Sequence, residues 1–172
     1  MPNKSQTKSL TVLITALAVL FVSCAPKTDE DRIQELMKEA GKLIEKKDIT
    51  SLLGLLSDEY IDYRGRDKTQ TQDMAQTYFR EFRGIVVHVL STRIEGIDMN
   101  EATIQTDVAL SSGAAKALRK LVPVSTDNYR FNIILIKKQD RWQIRYAGWK
   151  HIGVEELFPE SLSILQKLFS DK

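Results

Sequence analysis

RIQELMKEAGKLIEKKDITSLLGLLSDEYIDYRG, residues 32–65, changes its hydrophobic period twice, and those changes decide the fold. Ile33, Leu36, Met37, Ala40, Leu43 and Ile44 recur at spacings of three and four, which predicts an amphipathic helix with one buried stripe. Thr28 or Asp29 can cap it, and the acids Asp29, Glu30 and Asp31 sit at its positive end, where they are favoured. Gly41 is either a weak point in this helix or a mark of close packing. Asp48 then caps a shorter leucine-rich helix through Ile49, Leu52, Leu53, Leu55 and Leu56. The stretch 59–64 turns to tyrosine and isoleucine and reads as a short strand ended by Gly65.

Outward from this stretch, residues 67–72 are polar and predict a loop and a cap. Residues 73–82 predict a third helix carrying Met74, Ala75, Tyr78, Phe79 and Phe82. From Gly84 the period becomes two and β-branched residues accumulate. Residues 85–97 and 102–112 predict one antiparallel hairpin; 129–137 and 142–150 predict another, with a tight turn at 138–141. Residues 113–127 interrupt the two hairpins, and 161–169 predict a terminal helix after Pro159. Helices gathered ahead of antiparallel strands describe an α+β domain: N-terminal helices packed on one face of a strongly curved antiparallel sheet. A cavity between helices and sheet is the natural ligand site in such a fold.

The N-terminus has a separate logic. Lys4 and Lys8 precede an apolar run at 10–22. As a helix that run spans about 20 Å, too short for a bilayer core and right for the apolar part of a secretory signal. The run ends in Phe21-Val22-Ser23-Cys24, which resembles the lipobox of bacterial lipoproteins, with Phe21 in place of the usual Leu. The resemblance implies a signal peptide at 1–23, lipid on Cys24, a short tether at 24–28 and a single domain at 29–172 with a C-terminal helix. Ala25 rather than Asp after the cysteine points to the periplasmic face of the outer membrane. Two or more acyl chains anchor firmly where one holds only reversibly. Cys24 is the sole cysteine, which excludes a disulfide framework and a cysteine metal site. The formal charge of +2 falls to zero once Lys4 and Lys8 are removed, so nothing favours a nucleic-acid partner.

The order of elements, with Lys47-Asp48-Ile49, then Asp58-Glu59-Tyr60 entering a strand, and Trp142 and Ile144 after a late turn, resembles the nuclear transport factor 2-like (NTF2-like) superfamily. That resemblance implies a cone with its site inside, and a homodimer packed through the sheets is common among its members. It does not fix an activity, because the superfamily holds isomerases, dehydratases, transport factors and non-enzymatic domains alike.

Two catalytic candidates stand out. His88 shares a face with Val86 and Leu90; Ile85, Val87 and Val89 form the opposite face, and the sequence leaves open which of the two is concave. Inside the cone His88 would serve as a general base oriented by Asp62 or a tyrosine. Asp62 in a cavity would carry a raised pKa, or else pair structurally with Arg64 two residues along. Tyr60, Tyr63, Tyr78 and Trp149 are the pocket candidates, with Trp149 on the opposite parity from a core Trp142. His151 lies at the strand exit and has no partner at a metal-ligand spacing, so no metal or other cofactor is implied. Lys116, Arg119 and Lys120 form a small basic patch on the 113–127 segment. These features favour a membrane-anchored domain that binds a small apolar ligand or an envelope protein without catalysis. The alternative is a small periplasmic isomerase or hydrolase-like enzyme using His88 and Asp62.

Overall fold

The computed structural model describes residues 27–82, 84–112 and 127–157. The N-terminal segment with Cys24, the 113–126 stretch with its basic patch and the helix expected at 161–169 lie outside the described residues.

The first helix, α1 (Asp29–Lys46), begins at a capping box in which Thr28 and Asp31 satisfy each other's backbone N–H groups. Its buried stripe is Ile33, Leu36, Met37, Ala40, Gly41 and Leu43. Fully burying a Leu or Ile side chain contributes roughly 1.5–3 kcal/mol, so the stripe outweighs the cap, which is worth about 1 kcal/mol. Lys47 closes α1 in the left-handed conformation at φ 57°. Helix α2 (Ile49–Gly54) follows, capped by Asp48 onto the Ser51 N–H. Strand β1 (Leu56–Asp62) then leads through a turn at Gly65 (φ 77°) into helix α3 (Lys68–Glu81). Strands β2 (Ile85–Ile97), β3 (Glu101–Ser112), β4 (Asp127–Lys138) and β5 (Arg141–Ile152) and a short helix α4 (Val154–Leu157) complete the order. The polar 67–72 stretch is helix rather than loop, because Asp67 and Gln70 form a second capping box that starts α3 at Lys68. The β4–β5 turn uses two left-handed residues, Gln139 (φ 50°) and Asp140 (φ 62°), the backbone that matches strand twist in a two-residue hairpin.

The sheet corrects the expected architecture. Its order is β1-β5-β4-β3-β2, with antiparallel pairs from β2 to β5 and β1 parallel to β5. It is therefore a mixed, open sheet with β1 and β2 at its two ends, not a strongly curved antiparallel cone. Sequence alternation specifies which face each residue takes, but it does not specify how β1 joins or whether the edges approach. The pairing of β1 with β5 is also interrupted between Leu56 and Ile61.

Helix α1 crosses one face of this sheet diagonally. At its start, Asp29 accepts the indole N–H of Trp142 (3.0 Å) and an ion pair from Lys137 (2.9 Å) at the β4–β5 turn. Near its end, Gly41 lies against β2: a Cβ there would stand 3.3 Å from Val87 Cγ1. Glu45 accepts the backbone N–H of Val87 at 3.0 Å. The core gathers under this diagonal from Ile33, Leu36, Met37 and Ala40 against Ala102, Ile104, Ile133, Leu135, Ile144 and Ala147. Among the described residues no helix is long and apolar enough to cross a membrane.

Ile104 has no exposed surface and Ile97 on the preceding strand is 40% exposed. Ile104→Ala should therefore cost about 2–5 kcal/mol in urea unfolding, whereas Ile97→Ala should stay within about 0.5 kcal/mol.

Candidate functional site

The bulges decide which side chains meet. In β5 the register shifts between Tyr146 and Ile144, so Arg145 is an extra residue against β4. An extra residue reverses the alternation beyond it. Trp142 and Trp149, which simple parity puts on opposite faces, therefore both lie on the helix-facing side. Trp142 is buried in the core, and Trp149 packs at its margin, half-buried. Leu90 is the corresponding extra residue in β2 and is exposed.

The diagonal course of α1 leaves the corner between β1 and the second half of β5 uncovered by that helix, and an aromatic row occupies it. Tyr63 meets Trp149 edge-on at 4.7 Å between ring centroids. Phe131 follows at 5.8 Å from Trp149, and Tyr129 at 6.5 Å from Phe131. His151 stands edge-on to Tyr129 at 5.5 Å and ends the row. Tyr78 on α3 and Phe82 at its C-cap, stacked at 6.1 Å, border the same corner, and the Tyr78 phenol lies near enough to Tyr129 to act on it electrostatically. Burial, then Asp127 and then Tyr78 push the Tyr129 phenol above its ordinary value. Burial likewise raises Tyr60. Both phenols are consequently protonated at neutral pH and able to donate a hydrogen bond.

Asp62 anchors the turn beside this row. Its side chain has no exposed surface. Burial alone would raise its pKa, but the backbone N–H of Arg66, the Arg66 guanidinium and the backbone N–H of Arg64 together outweigh burial and hold it below the usual carboxylate value. Oδ1 accepts from Arg64 N (2.8 Å) and Arg66 N (3.0 Å), and Oδ2 accepts from Arg66 Nε (2.6 Å). The side-chain partner is thus Arg66, not Arg64 as sequence spacing suggested. The Arg64 guanidinium instead donates to the Tyr63 hydroxyl at 2.9 Å. Arg66 also lies over the Trp149 ring, 5.5 Å from its centroid. Three donors hold the carboxylate, so its pKa is lowered and not raised as a cavity aspartate would carry it.

Asp62 and His88 do not come together. Val87 and Val89 face α1, so His88, on the other parity, lies on the outer face of β2. Asp62 lies on the helix-facing side of β1, at the opposite end of the strand order. The expected His88–Asp62 pair is excluded by both face and distance across the sheet. Of the four pocket candidates, Tyr63 and Trp149 touch, Tyr78 borders the corner, and Tyr60 is buried beneath it. Phe131, Tyr129 and Arg66 were missed. Their signal was the register of β4 against β5, which a single sequence does not print.

Two further features lie elsewhere. The outer face carries a buried ion pair, Asp107 with Arg130 (2.7 Å and 3.0 Å), extended by a bond from Arg130 to the Glu156 carbonyl. A recess of about 310 Å³ opens between α1 and β2, lined by Gln34, Lys38 and residues 89–92. It lies at the far edge of the sheet from the aromatic row and, among the described residues, holds Lys38 as its sole ionisable side chain. Among the described residues no cluster of His, Cys, Asp or Glu could hold a metal ion.

No protein-family model matches the chain, and no curated protein sequence matches it. Solved structures do. A proposed scytalone dehydratase from Novosphingobium aromaticivorans superposes with a TM-score of 0.62 at 11% identity, over 73% of this chain and 85% of that one. A proposed aromatic ring hydroxylase from the same organism gives 0.62 at 13% identity, over 76% and 93%. An NTF2-like protein of unknown function from Pseudomonas aeruginosa gives 0.58 at 12% identity, over 71% and 99%. The chain has an NTF2-like α+β fold. At such identities the likeness shows the fold alone.

The lowered pKa of Asp62 fixes a pH dependence. A carboxylate held below its unfolded value of 3.8 stabilises the fold above that pH and loses its contribution as pH falls through the folded value. Asp62→Asn should cost about 1–3 kcal/mol at neutral pH. Its deficit relative to the unsubstituted protein should shrink only below about pH 4, as read by urea unfolding at a series of pH values.

Proposed function

We infer that this domain binds a planar, ring-bearing small molecule on the helix-facing corner of the sheet. The observation that carries the reading is the row Tyr63–Trp149–Phe131–Tyr129, four rings in successive contact, with Tyr63 43% exposed and Trp149 half-buried. A core aromatic cluster would be sealed, whereas this one reaches the surface at one end. Rings that are partly desolvated and held rigid offer stacking area at low entropic cost. The protonated phenol of Tyr129 supplies a donor beside that area. Titration calorimetry of the full chain with a panel of ring compounds tests the reading. Trp149→Ala should weaken the best ligand about tenfold or more, while Leu90→Ala, on the opposite edge, should leave it unchanged. Equal loss from both variants, or none from either, would count against this site.

A second reading is favoured by the names carried by two structural neighbours, a proposed dehydratase and a proposed ring hydroxylase. In it the same corner is an active site for a cyclic substrate. Proton transfer then falls to Tyr129, Tyr78 and His151, since the His88–Asp62 arrangement is excluded. Turnover of a bound ring compound, lost in Tyr129→Phe with binding retained, would select this reading over simple binding.

The N-terminal signal adds a location. The sequence at 21–24 supports lipid attachment at Cys24 and retention at the periplasmic face of an outer membrane, where the described domain would begin within a few residues of the bilayer. Cys24→Ala should move the protein from the membrane pellet to the soluble fraction and abolish incorporation of labelled palmitate. Continued membrane retention of that variant would rule the anchor out.

A further inference from the structure

The turn at 62–66 leaves part of one cation unused. Arg66 engages Asp62 side-on, through Nε alone. Among the described residues its two terminal nitrogens make no hydrogen bond, although only 22% of the side chain is exposed. A guanidinium presents five donors in a rigid fork, and a half-buried fork with its front pair unfilled is prepared for a planar acceptor. The guanidinium carbon lies 5.5 Å from the Trp149 ring centroid, so an anion on those nitrogens would sit beside a ring stacked along the row.

Local charge agrees with that polarity. Between 62 and 68 the chain carries Arg64, Arg66 and Lys68 against Asp62 and Asp67. Asp62 is fully committed to the turn, and Asp67 caps α3 through the Gln70 N–H. Lys68 donates to the Leu56 carbonyl and Arg64 to the Tyr63 hydroxyl, so neither neutralises a further carboxylate. The turn therefore keeps one net positive charge where it meets Trp149, and Asp127 lies at the far end of the row beside Tyr129 and His151. Asp62 performs a second task here: by holding Nε it restrains the guanidinium beside Trp149.

We propose that Arg66 receives a carboxylate, or a similar planar oxyanion, carried by the ring ligand of the Trp149 row. The ligand class is thus an aromatic or cyclic acid rather than a neutral ring. The proposal deepens the binding reading above and rests on it. Arg66 binds through its terminal pair; Trp149 and Phe131 take the ring; Tyr129 donates to any carbonyl or hydroxyl farther along.

The test uses a matched pair of probes, naphthalene-2-carboxylate and naphthalene-2-carboxamide, titrated into the full chain by calorimetry. The acid should bind about tenfold or more tightly than the amide, because only the acid offers an anionic pair of oxygens for the paired guanidinium nitrogens. Arg66→Lys keeps a cation beside Asp62 but removes the fork, so it should cut the acid-to-amide affinity ratio to about twofold or less, a ratio in which any loss common to both probes cancels. Arg64→Gln should change the preference by less than about twofold, since exposed pairs contribute little. Equal affinity for acid and amide would overturn the anion site while leaving the ring-binding reading in place. A preference that survives Arg66→Lys, or disappears in Arg64→Gln, would overturn the assignment to Arg66. Failure of both probes to bind would overturn the ring-binding reading and this proposal with it. Should Arg66→Lys fail to fold, the ¹⁵Nη signal of Arg66 in the unsubstituted protein reads the same contact. It should move with the acid and not with the amide, and the opposite pattern would refute the site.

Discussion

A carboxylate with no exposed surface, Asp62 at the end of the edge strand β1, holds the turn on which the corner of the sheet depends. Burying an ionised carboxyl costs several kcal/mol unless its oxygens are satisfied, so Asp62 tolerates its position only because three donors converge on it. Two of them are backbone N–H groups, and they force the chain to fold back at once after β1. Gly65, at φ 77°, supplies the left-handed step which that return requires. Because the turn is held by its own backbone, Tyr63, Arg64 and Arg66 are carried into place as a unit. Tyr63 is set against Trp149, and Arg66 is set over it.

The course of α1 explains why a site remains to be furnished. The helix is tied at one end to the β4–β5 turn through Asp29 and at the other to β2 through Gly41 and Glu45. A helix fixed at opposite corners of a sheet buries the middle and leaves the other two corners. One of these holds the aromatic row. The buried Asp107–Arg130 pair belongs to the outer face, where Arg130 reaches Glu156 just beyond β5. The sheet thus separates an ion pair that joins β3, β4 and the chain after β5 from a ring-lined surface that faces α1 and α3.

Much of this was legible from residue spacing. The stripe Ile33 to Leu43 announced α1, and the β-branched alternation from Ile85 onward announced two hairpins in order. Asp48 was read as a cap and is one. The start of α3 was also written in the sequence, as Asp67 followed three residues later by Gln70, but the polar run 68–72 concealed it. Other features depend on pairing rather than pattern. The extra residue at Arg145 moves Trp149 onto the helix-facing side, and nothing in the local composition marks it as a bulge. The choice of Arg66 over Arg64 depends on the fold of a turn of five residues. The parallel placement of β1 beside β5, which makes the sheet mixed and open, joins segments more than 80 residues apart. The contacts among the aromatic candidates follow the same line. Tyr63 and Trp149, both singled out from sequence, touch each other; Phe131, opposite Trp149 across the β4–β5 ladder, is brought beside them by a pairing that local sequence does not show.

The central claim is that the corner around Trp149 receives a ring. The chain holds two indoles with different surroundings: Trp142 is buried with its N–H on Asp29, and Trp149 is half-buried in the row. Their ¹⁵Nε1 signals in a heteronuclear NMR spectrum are therefore separate reporters of core and site. On titration with naphthalene-2-carboxylate, the Trp149 signal should shift progressively and saturate while the Trp142 signal stays in place. A saturating shift confined to Trp142, or binding that leaves both signals unmoved, would contradict the account.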